Sequence, residues 1–230
     1  MEPKTLEQTA ANPLATAPIG TLLCRYSIPT TLTLLVNYLY NIADQIFVGQ
    51  GVGITGMAAT NVAFPLTIVT IALALLLGDG CAANLNLCLG RGEQDQANRI
   101  ISHTASLMVG VGILLGIAGS LLAKPIVILF GATETSFQAA LDYTRIIAWG
   151  LPFLLFSSAL AAIIRADGNP KFTMKCMMLG AGINLVLDPV FIFCLHMGVV
   201  GAAIATVLGQ AVAGTLCLLH LRRLQSVRIE

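Results

Sequence analysis

The sequence predicts an all-α integral membrane protein, a bundle of six transmembrane helices. Three observations carry that expectation. Hydrophobic residues make up 57% of the 230 residues and charged residues only 10%, against about 25% charged in a soluble domain. The apolar stretches are long enough to cross a bilayer, which takes roughly 20 residues per helix, and a helix satisfies its own backbone hydrogen bonds there. Runs such as Ile100–Ala123 are too long and too uniformly apolar for the short alternating strands of a transmembrane β-barrel.

Taken in order, Met1–Gly20 has no apolar core and no small-residue cleavage site, so it does not read as a signal peptide. Residues 1–26 are expected as a cytoplasmic segment, with Pro18–Ser27 lying along the inner surface as a lead-in. Arg25 precedes an apolar run interrupted only by Asp44, and Pro and Gly punctuation helps place the later spans. The spans are expected at about 27–49, 57–83, 99–122, 140–164, 173–197 and 200–221. Residues 27–221 thus form the transmembrane lobe, and 222–230 begin a cytoplasmic linker. Gly-rich stretches such as Gly110–Gly119 suit close helix packing through small faces.

Cations set the orientation. Lys4, Arg25, Arg91, Arg99, Arg165, Lys171, Lys175, Arg222, Arg223 and Arg228 fall on one side, and only Lys124 and Arg145 on the other. Both ends of the chain are therefore expected in the cytoplasm, in a multi-pass cell-membrane protein. The net charge of +1 and the scattered cations exclude a nucleic-acid surface. The cysteines Cys24, Cys81, Cys88, Cys176, Cys194 and Cys217 form no CxxC pair and read as small buried hydrophobes.

Carboxylates inside a membrane are costly and mark function by default. Asn37, Tyr40, Asn41 and Asp44 recur at helical spacing and share one face of the first span. Asn184 and Asp188 repeat the pattern in the fifth span, where Pro189 leaves a backbone carbonyl without its donor. Thr206 and Gln210 are spaced alike in the sixth. At 1.5 Å per residue, Asp44, Asp188, Thr206 and Tyr143 reach similar depth in the outer half of the bundle. One polar pocket is expected there, able to exchange a proton or bind Na⁺. Asn37, Tyr40, Asn41 and Gln210 either satisfy helix–helix hydrogen bonds or line the substrate path. Asp79, between Gly78 and Gly80, is expected to secure an inner helix end.

Asp79-Gly80 followed by Ala83 is similar to the start of the membrane CDP-alcohol phosphotransferase signature. That motif needs Arg, Gly and two further Asp where Asn84, Glu93, Ala97 and Ile101 stand, so its metal site is absent. His103, His196 and His220 are isolated, and neither HExxH nor GxSxG occurs. No enzyme chemistry is expected.

Five stretches carry a resemblance: PIGTLLCRYSIP (Pro18–Pro29), NYLYNIADQIFVGQG (Asn37–Gly51), IRADGNP (Ile164–Pro170), GAGINLVLDP (Gly180–Pro189) and GVVGAAIAT (Gly198–Thr206). In order and spacing they resemble the multidrug and toxic compound extrusion (MATE) transporters, from about Thr16 onward. The resemblance implies one six-helix lobe, the N-terminal one, of a twelve-helix, two-lobed fold. It implies export of organic, often cationic, compounds in exchange for H⁺ or Na⁺, with no cofactor and no catalytic residue. It places a cation site on Asp44, Asn184, Asp188, Thr206 and Tyr143, with Asp44, Asn184, Asp188 and Thr206 able to hold Na⁺. Pro29 matches a proline at which the first span bends. The partners implied are small organic substrates, the bilayer and a second six-helix lobe, since alternating access needs a cleft between lobes. A flippase of a lipid-linked substrate on a related fold is the alternative. It typically lines its cavity with cations, whereas the intramembrane charges here are acidic, which favours cationic cargo. A non-transporting scaffold is the third reading.

Overall fold

The structure, a computed structural model, describes residues 18–221. The expected segments at 1–17 and 222–230 lie outside the described residues. The helices are α1 (Ile19–Gly51), α2 (Ile54–Arg91), α3 (Gln94–Leu121), a short α4 (Ala123–Leu129), α5 (Phe137–Ala166), α6 (Pro170–Pro189) and α7 (Gly198–Leu221). A π-helical turn, Val190–Cys194, continues α6. Six of these helices are long and apolar enough to cross a membrane, with α6 counted through its π turn.

Local chemistry sets the helix ends. α1 starts after Pro18 and runs unbroken through Pro29, so the expected lead-in is helical and continuous with the first span. Gly53, at φ +81°, reverses the chain within two residues and α2 begins at once. α2 is 38 residues long, about 57 Å at 1.5 Å per residue, and so passes well beyond its expected end near 83. Asp79 does not stop it, because an exposed charge costs a helix little. Gly92 stops it, at φ +74°, a left-handed conformation that a residue without Cβ adopts freely. There Glu93 N–H bonds to the Cys88 carbonyl at 2.9 Å, closing the helix end. α6 opens with Pro170 in its first turn, and the Asn169 side chain accepts from Phe172 N–H at 3.3 Å, capping the helix start.

α5 is the axis of the bundle. It packs against α2, α3 and α7, while α6 packs on α7 and α1 packs chiefly on α6. α5 is accordingly the most buried helix and α1 the least. Small residues allow the closest approaches. A Cβ on Gly78 would lie 2.6 Å from the Ala159 carbonyl of α5, and one on Gly180 would lie 2.7 Å from the Gly209 carbonyl of α7. Two apolar clusters fill the interior. One gathers Leu85, Ile101, Met108, Leu155 and Ile164. The other, at the opposite end, gathers Val48, Val62, Val127, Ile147 and Val199. The outer faces carry exposed Leu76, Leu114, Trp149 and Val186, apolar groups that suit lipid. Cys81, Cys88, Cys176 and Cys217 are buried as expected, but Cys24 and Cys194 are exposed, because both fall on outward faces of their helices.

Candidate functional site

The second cluster borders a polar layer built by α1, α2, α5, α6 and α7. α1 contributes Asp44 and α6 contributes Asp188, which are 7% and 0% exposed. Their carboxyl groups are in hydrogen-bonding contact across the α1–α6 seam. Two carboxyl groups so placed can share one proton or a cation. Asp44 Oδ1 is buried and receives no donor from the protein, so the site has an oxygen free for such an ion.

The remaining members are close by. Asn184 is 3% exposed and sits one turn before Asp188. In the amide orientation that satisfies both its ends, it donates to Asp188 Oδ2 at 3.2 Å, and accepts from the Thr206 hydroxyl at 3.3 Å and from Thr206 N–H at 3.2 Å. This links α6 to α7 at the depth of the carboxyl pair. The seam is tight here: a Cβ on Gly209 would lie 3.2 Å from the Asn184 Cβ. Tyr143 of α5 is buried within electrostatic range of Asp44, Asp188 and Tyr40. Thus Asp44, Asn184, Asp188, Thr206, Tyr143 and Tyr40 lie in one neighbourhood, with carboxylate, amide and hydroxyl oxygens that suit H⁺ or a hard cation.

The other singled-out residues lie elsewhere. Asn37 and Asn41 turn back onto their own helix, donating to the Thr33 and Asn37 carbonyls at 3.0 and 2.7 Å. Asn41 also lines an open, largely apolar groove of about 640 Å³ along α1, with Tyr38, Gln45, Gln50 and Met57. Gln210 lies in the α5–α7 interface instead: a Cβ on Gly150 would come within 3.4 Å of its Oε1. Pro29 is buried within α1, and Thr33 Oγ1 donates to its carbonyl at 2.8 Å. Asp79 is exposed on α2 and interacts electrostatically with Arg165 at the end of α5.

Two participants were not among the expected residues. Gln45 donates to Asp44 Oδ2 at 3.4 Å and to the Thr60 hydroxyl of α2 at 3.2 Å. The position of Gln45, next to Asp44, was a usable signal. Thr60 had none, since the sequence does not fix how α1 and α2 are registered.

The MatE family model matches residues 29–190. The chain belongs to the MatE family. It is 33% identical over 205 residues to a FAD transporter of Shewanella oneidensis, covering 87% of this chain and 45% of the relative. It is 26% identical over 198 residues to the multidrug export protein MepA of Staphylococcus haemolyticus, covering 86% and 44%. Among solved structures, the MATE multidrug transporter DinF-BH matches with a TM-score of 0.87 at 36% identity, over 94% of this chain and 48% of that one. The chain thus spans about half the length of the relatives it matches, the extent of one six-helix lobe.

Proposed function

We propose that this MatE lobe works in a secondary antiporter that exports small organic compounds, and that the Asp44–Asp188 pair carries the coupling ion, H⁺ or Na⁺. The single observation that supports this best is the buried contact between two carboxyl groups on different helices. Neither carboxylate is needed for packing, since an amide would bond as well without the cost of burying a charge. Asn184 and Thr206 complete the oxygen set and Tyr143 closes it from α5. Such a site can take up an ion when it opens and hold it when it closes, so that filling it biases one arrangement of α1 against α6. The residues act as ion ligands and as no catalytic group; the protein is not an enzyme in this reading. Both chain ends lie in the cytoplasm, the side that the cation distribution favours, and the second lobe supplies the other wall of the transport cleft.

The nature of the cargo rests on a different observation. Both carboxyl groups are sealed inside the bundle, so they are placed to hold the ion and do not face a cargo. Their charge therefore gives no preference for cationic compounds. The FAD transporter relative favours a second reading, in which the cargo is a flavin or another phosphate-bearing nucleotide. Efflux of a lipophilic cationic dye and of FAD, measured in parallel from everted vesicles, separates the two. Dye movement alone supports multidrug export, and FAD movement alone supports the second reading. If neither moves under imposed H⁺ or Na⁺ gradients, the export proposal fails.

A further inference from the structure

We infer that Gln45, held by Thr60, is a positioning residue that orients Asp44 for the coupling ion and borders the path by which that ion arrives from the α1 groove. The inference rests on the proposed role of the Asp44–Asp188 pair and adds to it.

Hydrogen-bond counting carries the first half. The Thr60 hydroxyl donates to the Met57 carbonyl at 2.9 Å, and a hydroxyl has one hydrogen to give. It therefore accepts from Gln45 Nε2 at 3.2 Å. The two hydrogens of that amide nitrogen are then divided between Thr60 Oγ1 and Asp44 Oδ2. Gln45 so fixes one oxygen of Asp44 and leaves the other, Oδ1, buried and without a donor. Thr60 is itself 6% exposed and belongs to α2. It anchors Gln45 to a helix that otherwise meets α1 sparingly.

Location carries the second half. Asp44 and Asp188 are closed off, yet Gln45 lines the open groove of about 640 Å³ together with Asn41. Of the residues lining that groove, Gln45 is the one bonded to the Asp44 carboxyl. Its Oε1 lies 3.3 Å from the Thr60 hydroxyl, so Thr60 meets both ends of the Gln45 amide at the edge of the groove. An ion passing Gln45 next meets the free oxygen of Asp44. The titratable groups that face Asp44 there are Asp188 from α6, Tyr143 from α5 and Tyr40 from its own helix. α2 presents only the neutral Thr60 and α7 the neutral Thr206.

The test uses the complete transporter in vesicles, with export measured while Na⁺ is titrated at fixed pH and pH is titrated at fixed Na⁺. Removing a donor from a carboxylate weakens its hold on a metal cation and strengthens its hold on a proton. Gln45→Leu and Thr60→Val are expected to shift the half-saturating ion concentration about tenfold, upward for Na⁺ or downward for H⁺, with the maximal rate within about twofold. Thr60→Ser keeps the hydroxyl and is expected to behave as the parent. Thr60→Val keeps the shape of threonine, so it informs even if Gln45→Leu does not fold. An unchanged half-saturation in Thr60→Val, or a lower maximal rate with half-saturation unmoved, overturns the inference. Asp44→Asn is run beside them. If it abolishes coupling while Thr60→Val shifts nothing, only the role of Gln45 and Thr60 is lost. If Asp44→Asn stays coupled, the proposed ion site itself is wrong.

Discussion

Gly180→Ala strains the site from a distance. The new Cβ would lie 2.7 Å from the Gly209 carbonyl oxygen and 3.0 Å from the Ala213 Cβ, all on helix backbone or its first atom, where no flexible chain can swing away. Ordinary carbon–oxygen contact begins at about 3.3 Å, so α6 and α7 must part by roughly 0.6 Å. One turn along the same seam, Asn184 accepts from the Thr206 hydroxyl at 3.3 Å. The same displacement carries that pair to about 3.9 Å, beyond hydrogen-bond range. Overpacking costs about 1–3 kcal/mol, and a buried polar group that loses its partner costs about 1–3 kcal/mol more. The assay is survival of monodisperse, detergent-solubilised transporter after heating, together with ion-driven efflux. Gly182→Ala is the control, because a Cβ there meets nothing within 4 Å. We expect Gly180→Ala to lose both stability and coupled efflux while Gly182→Ala retains both. Equal behaviour of the two variants would refute the idea that this seam sets the geometry of Asn184 and Thr206.

Three further outcomes are expected from the fold and the site. In a cysteine-free background, Cys introduced at Thr135 should label from outside intact cells, and Cys at Ser226 only after permeabilisation; outside labelling of both would sink the proposed topology. Asp79→Asn should keep coupled efflux within a fewfold of the parent, since Asp79 is exposed and pairs only loosely with Arg165; a loss as deep as that of Asp44→Asn would put Asp79 in the transport cycle. Asp44→Asn should abolish coupled export with surface expression intact, because the amide cannot titrate and is a poorer cation ligand; coupled export at the parent rate would remove Asp44 from the site.

Much of this architecture is legible in the residues alone. Six apolar runs become six helices because nothing but a helix lets such a run cross a bilayer. The matched depth of Asp44, Asp188, Thr206 and Tyr143 needs only a fixed rise per residue and the alternation of direction. The rest depends on local stops and on register. The second span is expected to end near residue 83, whereas the decisive feature is the left-handed Gly92. The short helix α4 falls between two expected spans, although Pro125 in its first turn and the run Ile126–Leu129 suit a helix start. The π turn after Pro189 is not evident from sequence either. The loss of a backbone donor at Pro189 is plain, but not how the chain absorbs it. Face assignments are coarser still. Asn37 and Asn41 share spacing with Asp44, yet their amides return to their own helix. A periodic pattern gives a shared stripe, and neighbouring helices decide which part of it is buried.

Asp188→Asn tests the role of the carboxyl pair most directly. Asn keeps the size of Asp and can still meet Asn184, so the protein should fold, insert and reach the membrane at parent levels. It cannot carry the proton and holds a cation poorly, so the drive of roughly 2.3 kcal/mol per charge per 100 mV no longer reaches the cargo. The measurement is cargo efflux from vesicles of the complete transporter, with H⁺ and Na⁺ gradients imposed separately. If Asp188 carries the ion, neither gradient accelerates efflux in Asp188→Asn, while one of them does in the parent. Efflux at the parent rate under the same gradient would contradict that role.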